Sequence, residues 1–274
     1  MKRRELLIGS LPLAIWFRAK PAHGEASGAC PAEWGFRPPI LGPGVAPAGP
    51  GDPHNNEVAI AFRLLFGSAN KGQSGIEIAR YFLNLHTRNK NGWLYREEWP
   101  TPGRANPMIV GLFAMTQTLP SDGDQTSWCA AFVNFCLNVS GFHGTDSALS
   151  GSFRRLIDQP ASSTAKPKTG DLVVFRDVGS SGDDANGHGH VGFFVRPENV
   201  TTNPNSTQRG QFYVNAQEER RFKSGMLHVL GGNQRGSDTG STGGVKVAVF
   251  PMESAALRCL GFVSATSLTR IEVA

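Results

Sequence analysis

Two features are absent from this sequence, and each absence narrows its class. It contains no internal repeat, which excludes a repeat architecture. After Gly24, no apolar stretch is long enough to cross a membrane. We therefore predict a globular chain with no stable membrane span after processing, and its 274 residues suffice for a substantial core.

An excess of one charge is also missing outside the N-terminus. The formal net charge is +5, but the segment at 1–24 holds five basic residues and one acidic residue. The rest of the chain therefore carries a net charge of only +1. Such a balance gives no indication of a nucleic-acid partner, and we predict none.

The segment at 1–24 has the organisation of an export signal. Lys2, Arg3 and Arg4 precede an apolar run at 6–17, and the small residues Ala22 and Gly24 offer a cleavage site. The paired arginines favour a twin-arginine signal, with a Sec signal or an uncleaved anchor as alternatives. We predict export to the periplasm, the cell envelope or the extracellular space. Residues 25–56, which are rich in Gly and Pro, are the predicted linker.

Helical and strand patterns occupy separate parts of the remaining chain. Helix-like spacing comes first, at 57–66, 76–86, 106–119 and 126–137. Short β-like runs follow, at 171–175, 190–195, 211–215, 226–231, 245–250 and 259–263. Helices followed by strands predict an α+β fold with an antiparallel sheet. We expect one domain over 57–265 and a C-terminal tail over 266–274.

Two cysteines lie in the fourth predicted helix. Cys129 and Cys136 share one apolar stripe, and the roughly 10 Å of helix between them excludes a disulfide. Cys136 lies two turns into the helix, where nothing supports a thiolate, so we predict a structural role. Cys129 lies in the first turn, where free N–H groups and the helix dipole stabilise a thiolate. It is the candidate nucleophile, with Thr126 or Ser127 as the predicted helix cap.

A nucleophilic cysteine needs a base, and the base needs a group that orients it. His190 opens a predicted strand directly after a Gly-rich loop, and we predict that it is the general base. Asn233 follows two glycines at the end of another strand and is the predicted orienting residue, with Asn215 and Glu218 as competitors. The order Cys129, His190, Asn233 is that of a papain-like thiol, base and amide.

Four motifs in this order resemble the CHAP family of cysteine- and histidine-dependent amidohydrolases and peptidases, which are NlpC-type, papain-like cell-wall hydrolases. They are SWCAAFVNFCL at 127–137, KPKTGDLVVF at 166–175, GHVGFFV at 189–195 and LGGNQ at 230–234, within a resemblance that spans roughly 57–263. The resemblance implies a papain-like fold, with N-terminal helices and a nucleophile at a helix N-terminus packed on the sheet.

The same resemblance implies a mechanism and a substrate. Cys129 would be the nucleophile, His190 the base and Asn233 the orienting residue. The substrate would be an amide bond of peptidoglycan, cut by an amidase or an endopeptidase without cofactor or metal. Analogy with papain-like enzymes makes Gln125 a candidate for binding the oxyanion.

Two other functions stay open at this point. The loop at 183–190 carries Asp183, Asp184, His188 and His190, which could ligate zinc or calcium in a metal-dependent hydrolase. Its spacing matches no HExxH-type signature. The second alternative is a catalytically inactive cell-envelope binding protein of the same fold, although no catalytic residue type is missing from the sequence.

The other cysteines leave disulfide pairing open. In an exported chain, Cys259 could pair with Cys136 or with Cys30. We predict that Cys129 stays free, because a nucleophile must escape oxidation. The sequence carries no signal for an oligomeric state, and none that separates hydrolysis from acyl transfer to an amine.

Overall fold

The structure is a computed structural model that describes most of the chain after residue 52. The described ranges are 53–69, 71–72, 74–100, 103–179, 188–203, 211–213, 225–235 and 242–271. The predicted signal peptide and almost all of the predicted linker lie outside them. Within these ranges, no helix has the length and apolar character needed to cross a membrane.

Five helices occupy the first half of the described chain; the sequence pattern predicts the first four of them and not the fifth. They are α1 (Asn55–Gly67), α2 (Gly75–Leu83), α3 (Pro107–Leu112), α4 (Cys129–Val139) and α5 (Arg154–Ile157). α3 is shorter than the predicted helix at 106–119. It ends in a 3₁₀ turn at Phe113–Met115, after which Thr116 is extended and its hydroxyl donates to the carbonyl of Phe113.

α4 carries both cysteines of the opening motif and is buried along most of its length. Nine of its residues, at 129–137, are buried, and the helix packs against α2 and two strands of the sheet. A helix that is apolar on nearly every side belongs in a core. It ends at Val139 with Ser140 as its C-cap, and Gly141 follows with a φ of 84°, in the left-handed region that favours glycine.

The predicted side-chain cap of α4 is wrong. The N-cap residue is Trp128, whose side chain makes no capping hydrogen bond. The Thr126 hydroxyl instead accepts a hydrogen bond from the N–H of Asp122, on the other side of the turn. The first N–H groups of α4 therefore carry no side-chain cap and remain available to other acceptors.

Five strands form one antiparallel sheet, which confirms the α+β prediction. They are β1 (Leu172–Asp177), β2 (Gly189–Val195), β5 (Met226–Gln234), β6 (Gly244–Pro251) and β7 (Leu257–Val263), in the order β6-β5-β2-β1-β7. The described part of the predicted strand at 211–215 belongs to a separate two-stranded sheet. Of its described residues, Phe212–Tyr213 form β4, which pairs in parallel with β3 (Val200–Thr201).

Alternation along the strands gives the sheet two different faces. Val191, Phe193 and Val195 of β2 belong to the main core, which also contains Cys129 and the rest of buried α4. We call this side the helix face. A second cluster lies on the other side, which we call the aromatic face; its residues are Val173, Phe175, Phe194, Leu227 and Val229, with Phe250 and Phe262 packed against them.

β5 continues three residues beyond its predicted end because it contains a bulge. Gly231 pairs with Lys246 and Gln234 pairs with Gly244, so β5 has two residues where β6 has one. Asn233 lies at this bulge with a φ of 55°, a conformation that asparagine adopts more readily than most residues.

The chain after β7 also packs on the domain. Leu268 is buried, the carbonyl of Thr269 accepts from the N–H of His143, and the N–H of Ile271 donates to the carbonyl of Gly141. The described part of the segment that the sequence assigned to a tail therefore packs against the turn that follows α4.

Candidate active site

Cys129 is the first residue of α4, and its side chain meets strand β2. Only 4% of the residue is exposed. Burial raises the pKa of the thiol, whereas the backbone N–H groups of Val191, Ala130 and Cys129 itself act to lower it. Two N–H groups of the uncapped first turn and one from β2 are therefore placed to stabilise a thiolate at this position.

Cys136 lies on the same helix in a different environment. It is fully buried, and burial raises the pKa of its thiol well above the ordinary value. Within the described residues, Cys129, Cys136 and Cys259 are free, so a Cys136–Cys259 bridge is not formed. Cys30 lies outside those residues. The surroundings of Cys136 support a packing role.

His190 is the second residue of β2 and is also buried, with 8% of its surface exposed. Its ring lies on the aromatic face, stacked on Phe250 with 5.1 Å between ring centroids and opposite Phe175 on β1. Burial lowers the pKa of His190 to about 4. The imidazole is therefore neutral at pH 7 and able to accept a proton on one nitrogen.

The side-chain amide beside His190 belongs to Gln234. Its Nε2 lies 3.2 Å from the Nε2 of His190, and its own Oε1 is buried without a hydrogen-bond partner among the described residues. Turning the amide over places that oxygen beside the ring nitrogen, where it can accept a hydrogen bond from Nε2 of His190. In that orientation of the amide, His190 donates from Nε2 to Gln234 and its Nδ1 is the nitrogen that can accept a proton.

Gly231 makes room for this contact. A Cβ added at Gly231 would lie 2.5 Å from the Nε2 of Gln234 and 3.4 Å from the Nε2 of His190. The Gln234 amide therefore occupies the space above residue 231 that a side chain would fill. This is the close approach that favours glycine at that position.

Asn233, the predicted orienting residue, points elsewhere. Its Oδ1 lies 2.7 Å from the Cβ position of Gly243, at the start of the β6 segment. The observed amide partner of His190 is the next residue, Gln234. The two competitors, Asn215 and Glu218, lie outside the described residues. The role of Asn233 stays a prediction, and Gln234 is the residue that sequence reasoning missed.

Cys129 and His190 reach the sheet from different faces. The thiol belongs to the core of the helix face, whereas the imidazole stacks on Phe250 of the aromatic face. Their link is the N–H of Val191, which follows His190 and points toward the sulfur. No hydrogen bond joins the thiol to the imidazole within the described part of the chain.

Gln125, the predicted oxyanion side chain, is turned toward a neighbour. Its Nε2 lies 3.4 Å from Oδ1 of Asp124, whose buried carboxylate also accepts from the N–H groups of Trp99 and Asn106. The uncapped N–H groups of α4 are better placed than Gln125 to receive an oxyanion near the Cys129 sulfur.

The rival metal site falls mostly outside the structure. Asp183 and Asp184 are not among the described residues, whereas His188 is exposed and His190 is buried. In the ranges that are described, no three His, Cys, Asp or Glu side chains come together as a metal site.

Comparison with family models finds a match to part of the chain. Residues 121–214 match the model of the CHAP domain, which confirms the predicted resemblance for this stretch. The match contains Cys129 and His190 and ends before β5, which carries Asn233 and Gln234. The helices and the antiparallel sheet are consistent with a papain-like CHAP fold. No curated protein and no solved structure matches the chain.

The CHAP domain carries a functional implication. It implies amidase- or peptidase-type hydrolysis of peptidoglycan-like substrates. The matched stretch is narrower than the 57–263 over which the motifs suggested a resemblance.

Proposed function

We propose that this protein is an exported cysteine hydrolase that cleaves amide bonds of peptidoglycan, as an amidase or an endopeptidase. The observation that carries the proposal is the position of the Cys129 thiol. It lies in the uncapped first turn of α4, against the N–H of the residue that follows His190. The CHAP match over both residues supports the same reaction class.

In the proposed first half-reaction, the sulfur of Cys129 bonds to the carbonyl carbon while its proton passes to Nδ1 of His190. The first-turn N–H groups of α4 stabilise the oxyanion. The C–N bond then breaks, and the imidazolium protonates the leaving amine. In the second half-reaction, His190 takes a proton from water, whose oxygen attacks the thioester carbon; the C–S bond breaks and the imidazolium returns the proton to the sulfur. These two half-reactions need no cofactor.

The orienting role goes to Gln234 in this proposal, with Asn233 as the alternative. Gln234 is buried and lies beside Nε2 of His190, which leaves Nδ1 for the thiol. Burial keeps both reacting groups neutral at pH 7, since it raises the pKa of Cys129 and lowers that of His190. Proton transfer therefore requires the His190 side chain to bring Nδ1 within about 3 Å of the sulfur.

Export is proposed from the basic residues and the apolar run of the segment at 1–24. The periplasm or the cell exterior is also where peptidoglycan would be encountered. Fractionation of cells that express the chain, with and without Arg3 and Arg4 replaced by Lys, tests export and the twin-arginine route together. Retention of both forms in the cytoplasm would contradict export.

The test of the reaction is mass spectrometry of purified peptidoglycan after digestion by the chain lacking residues 1–24. We expect new muropeptides whose masses identify the bond that is cut. The products should disappear with Cys129→Ala and persist with Cys136→Ala, a matched control on the same helix. Chelator should change nothing. Activity that survives Cys129→Ala and is lost with chelator would instead support a metal site in the loop at 183–190.

One observation favours a second candidate, an inactive binding protein of the same fold. The thiol and the imidazole are not hydrogen-bonded to each other in the described residues. Co-sedimentation with peptidoglycan sacculi separates the two functions. Binding without any new muropeptide, equal in wild type and Cys129→Ala, would favour the binding protein.

A further inference from the structure

Glu98 is a buried carboxylate that lies outside the matched CHAP stretch and yet contacts the start of the nucleophile helix. Its side chain is 4% exposed. Oε1 accepts from the indole N–H of Trp128 at 3.2 Å, and Oε2 accepts from the N–H of Gly243 at 2.9 Å. Both acceptor oxygens are therefore engaged by N–H donors from two different parts of the domain, and Nη2 of the exposed Arg235 lies 3.9 Å from Oε2.

The chain around Glu98 is itself attached to the sheet. The N–H of Glu98 donates to the carbonyl of Gly243, and the N–H of Val245 donates to the carbonyl of Arg96. Glu97 forms an antiparallel bridge with Gly244. The position of Glu98 is therefore set by backbone pairing with the beginning of β6, next to the bulge that carries Gln234.

Trp128 is the residue through which Glu98 reaches the active site. It is fully buried and is the N-cap of α4, directly before Cys129. A Cβ added at Gly232 of β5 would lie 2.4 Å from the indole ring and 2.8 Å from Cβ of Phe132. The indole is thus packed directly against the β5 backbone and hydrogen-bonded to Glu98, so its orientation is determined on two sides.

We propose that Glu98 is a positioning residue for the Cys129 nucleophile, acting through the Trp128 indole to fix the first turn of α4 against β5 and β6. It does not touch the substrate. The inference rests on the proposed cysteine chemistry. It extends the functional unit to a loop that precedes the matched domain.

Removing one acceptor tests the proposal. In Glu98→Gln, the amide oxygen can accept from Trp128 or from Gly243 but not from both, and its NH₂ group then opposes the other donor. We expect the first turn of α4 to shift, so that its N–H groups no longer point at the sulfur of Cys129. The midpoint of the pH profile for alkylation of Cys129 by iodoacetamide should then rise by about one pH unit.

Peptide mapping of the alkylated full-length chain supplies an internal control. Cys136 is fully buried on the same helix, so general loosening of the fold would expose it as well. We expect Cys136 to stay protected while the Cys129 profile moves. Release of muropeptides from purified peptidoglycan should fall roughly tenfold or more, since small misplacement of a reacting group lowers the rate strongly.

A matched variant controls for the loss of any buried carboxylate. Glu57 is 1% exposed and is held by Arg104 and Asn89, on the α1 side of the molecule. We expect Glu57→Gln to lower the melting temperature without moving the Cys129 profile. An equal movement in Glu57→Gln would overturn the positioning role.

Trp128→Phe distinguishes the loss of the Trp128–Glu98 hydrogen bond from the loss of the negative charge of Glu98. It removes the indole donor and keeps the charge of Glu98, and we expect the same upward movement of the Cys129 profile. In the double variant of Glu98→Gln and Trp128→Phe, the midpoint of the Cys129 profile should rise by less than the sum of the two single shifts, because both substitutions act through one hydrogen bond. An unchanged profile in both single variants overturns the proposal. If Cys129→Ala keeps full activity, the proposed function fails, while the alkylation profiles still decide the role of Glu98.

Discussion

Two adjacent glycines on β5 face opposite sides of the sheet and serve opposite purposes. Gly232 lies against the indole of Trp128 and the Cβ of Phe132, on the helix face. Gly231 lies against the side chains of Gln234 and His190, on the aromatic face. The first glycine permits close packing of the nucleophile helix, and the second permits a polar contact with the base.

The difference separates the two halves of the proposed chemistry. On the helix face, Cys129 sits in a close-packed core and receives N–H groups from the helix and from β2. On the aromatic face, His190 is held by an aromatic ring and one amide. A single strand, β2, carries the contacts of both. Packing therefore fixes the position of the thiol, whereas a hydrogen bond to the neighbouring amide sets the protonation of the imidazole nitrogens.

The largest expected effect is on the aromatic face and depends on pH. Burial lowers the pKa of His190 to about 4 from an ordinary value of 6.5. Between these values the unfolded chain binds a proton that the folded chain does not, so the free energy of unfolding falls as the pH falls. The full shift corresponds to about 3 kcal/mol. Urea unfolding at pH 7, 5.5 and 4 should show this loss.

His190→Gln supplies the comparison for that experiment. It removes the titrating ring, so its stability should fall less than that of the wild type between pH 6.5 and 4. Taking the difference between the two proteins cancels the other titrating groups. Parallel pH dependences in the two proteins would show that the buried imidazole does not cause the loss.

The second effect concerns the partner of the imidazole. Gln234→Ala removes the amide beside Nε2 of His190, and we expect roughly a hundredfold lower rate of muropeptide release. Asn233→Gly keeps a residue that tolerates the φ of 55° and should retain most of the activity. If the order of the two variants is reversed, Asn233 holds the orienting role and the observed contact is incidental.

The third effect tests the helix face. Gly232→Ala forces a methyl group against the indole of Trp128, and we expect it to lower the free energy of unfolding by about 2 kcal/mol. Gly231→Ala meets the flexible end of Gln234, which can move, so its stability loss should be smaller. Its activity should nevertheless fall as in Gln234→Ala. Equal losses of unfolding free energy in Gly232→Ala and Gly231→Ala would contradict the closer packing that we assign to the helix face.

The smallest effect is at the bulge itself. Asn233→Ala places a Cβ-bearing residue without a polar side chain at a φ of 55°, which should cost about 1 kcal/mol relative to Asn233→Gly. Thermal unfolding of the two variants measures this difference. Equal melting temperatures would indicate that residue 233 changes conformation when substituted, and that the bulge is adaptable.

Sequence patterns predicted the elements better than their contacts. The spacing around Cys129 and Cys136 predicted a buried helix, and the structure has it over Cys129–Val139. The strand predicted at 211–215 is wrong in its partner, because Phe212 and Tyr213 pair with β3 outside the main sheet. The predicted cap of α4 is wrong because the Thr126 hydroxyl accepts a hydrogen bond from the N–H of Asp122, which precedes it in the chain.

The sequence by itself determined the order of elements, the burial of α4 and the first-turn position of Cys129, because each depends on local spacing along one segment. Only the tertiary structure decided which amide meets His190. Simple alternation would place residues 231 and 233 of β5 on the aromatic face. The bulge inserts one residue, so the side chain of Gln234 lies on that face instead of the side chain of Asn233. The bulge exists in the pairing of β5 with β6, and a pairing between distant segments has no local signature.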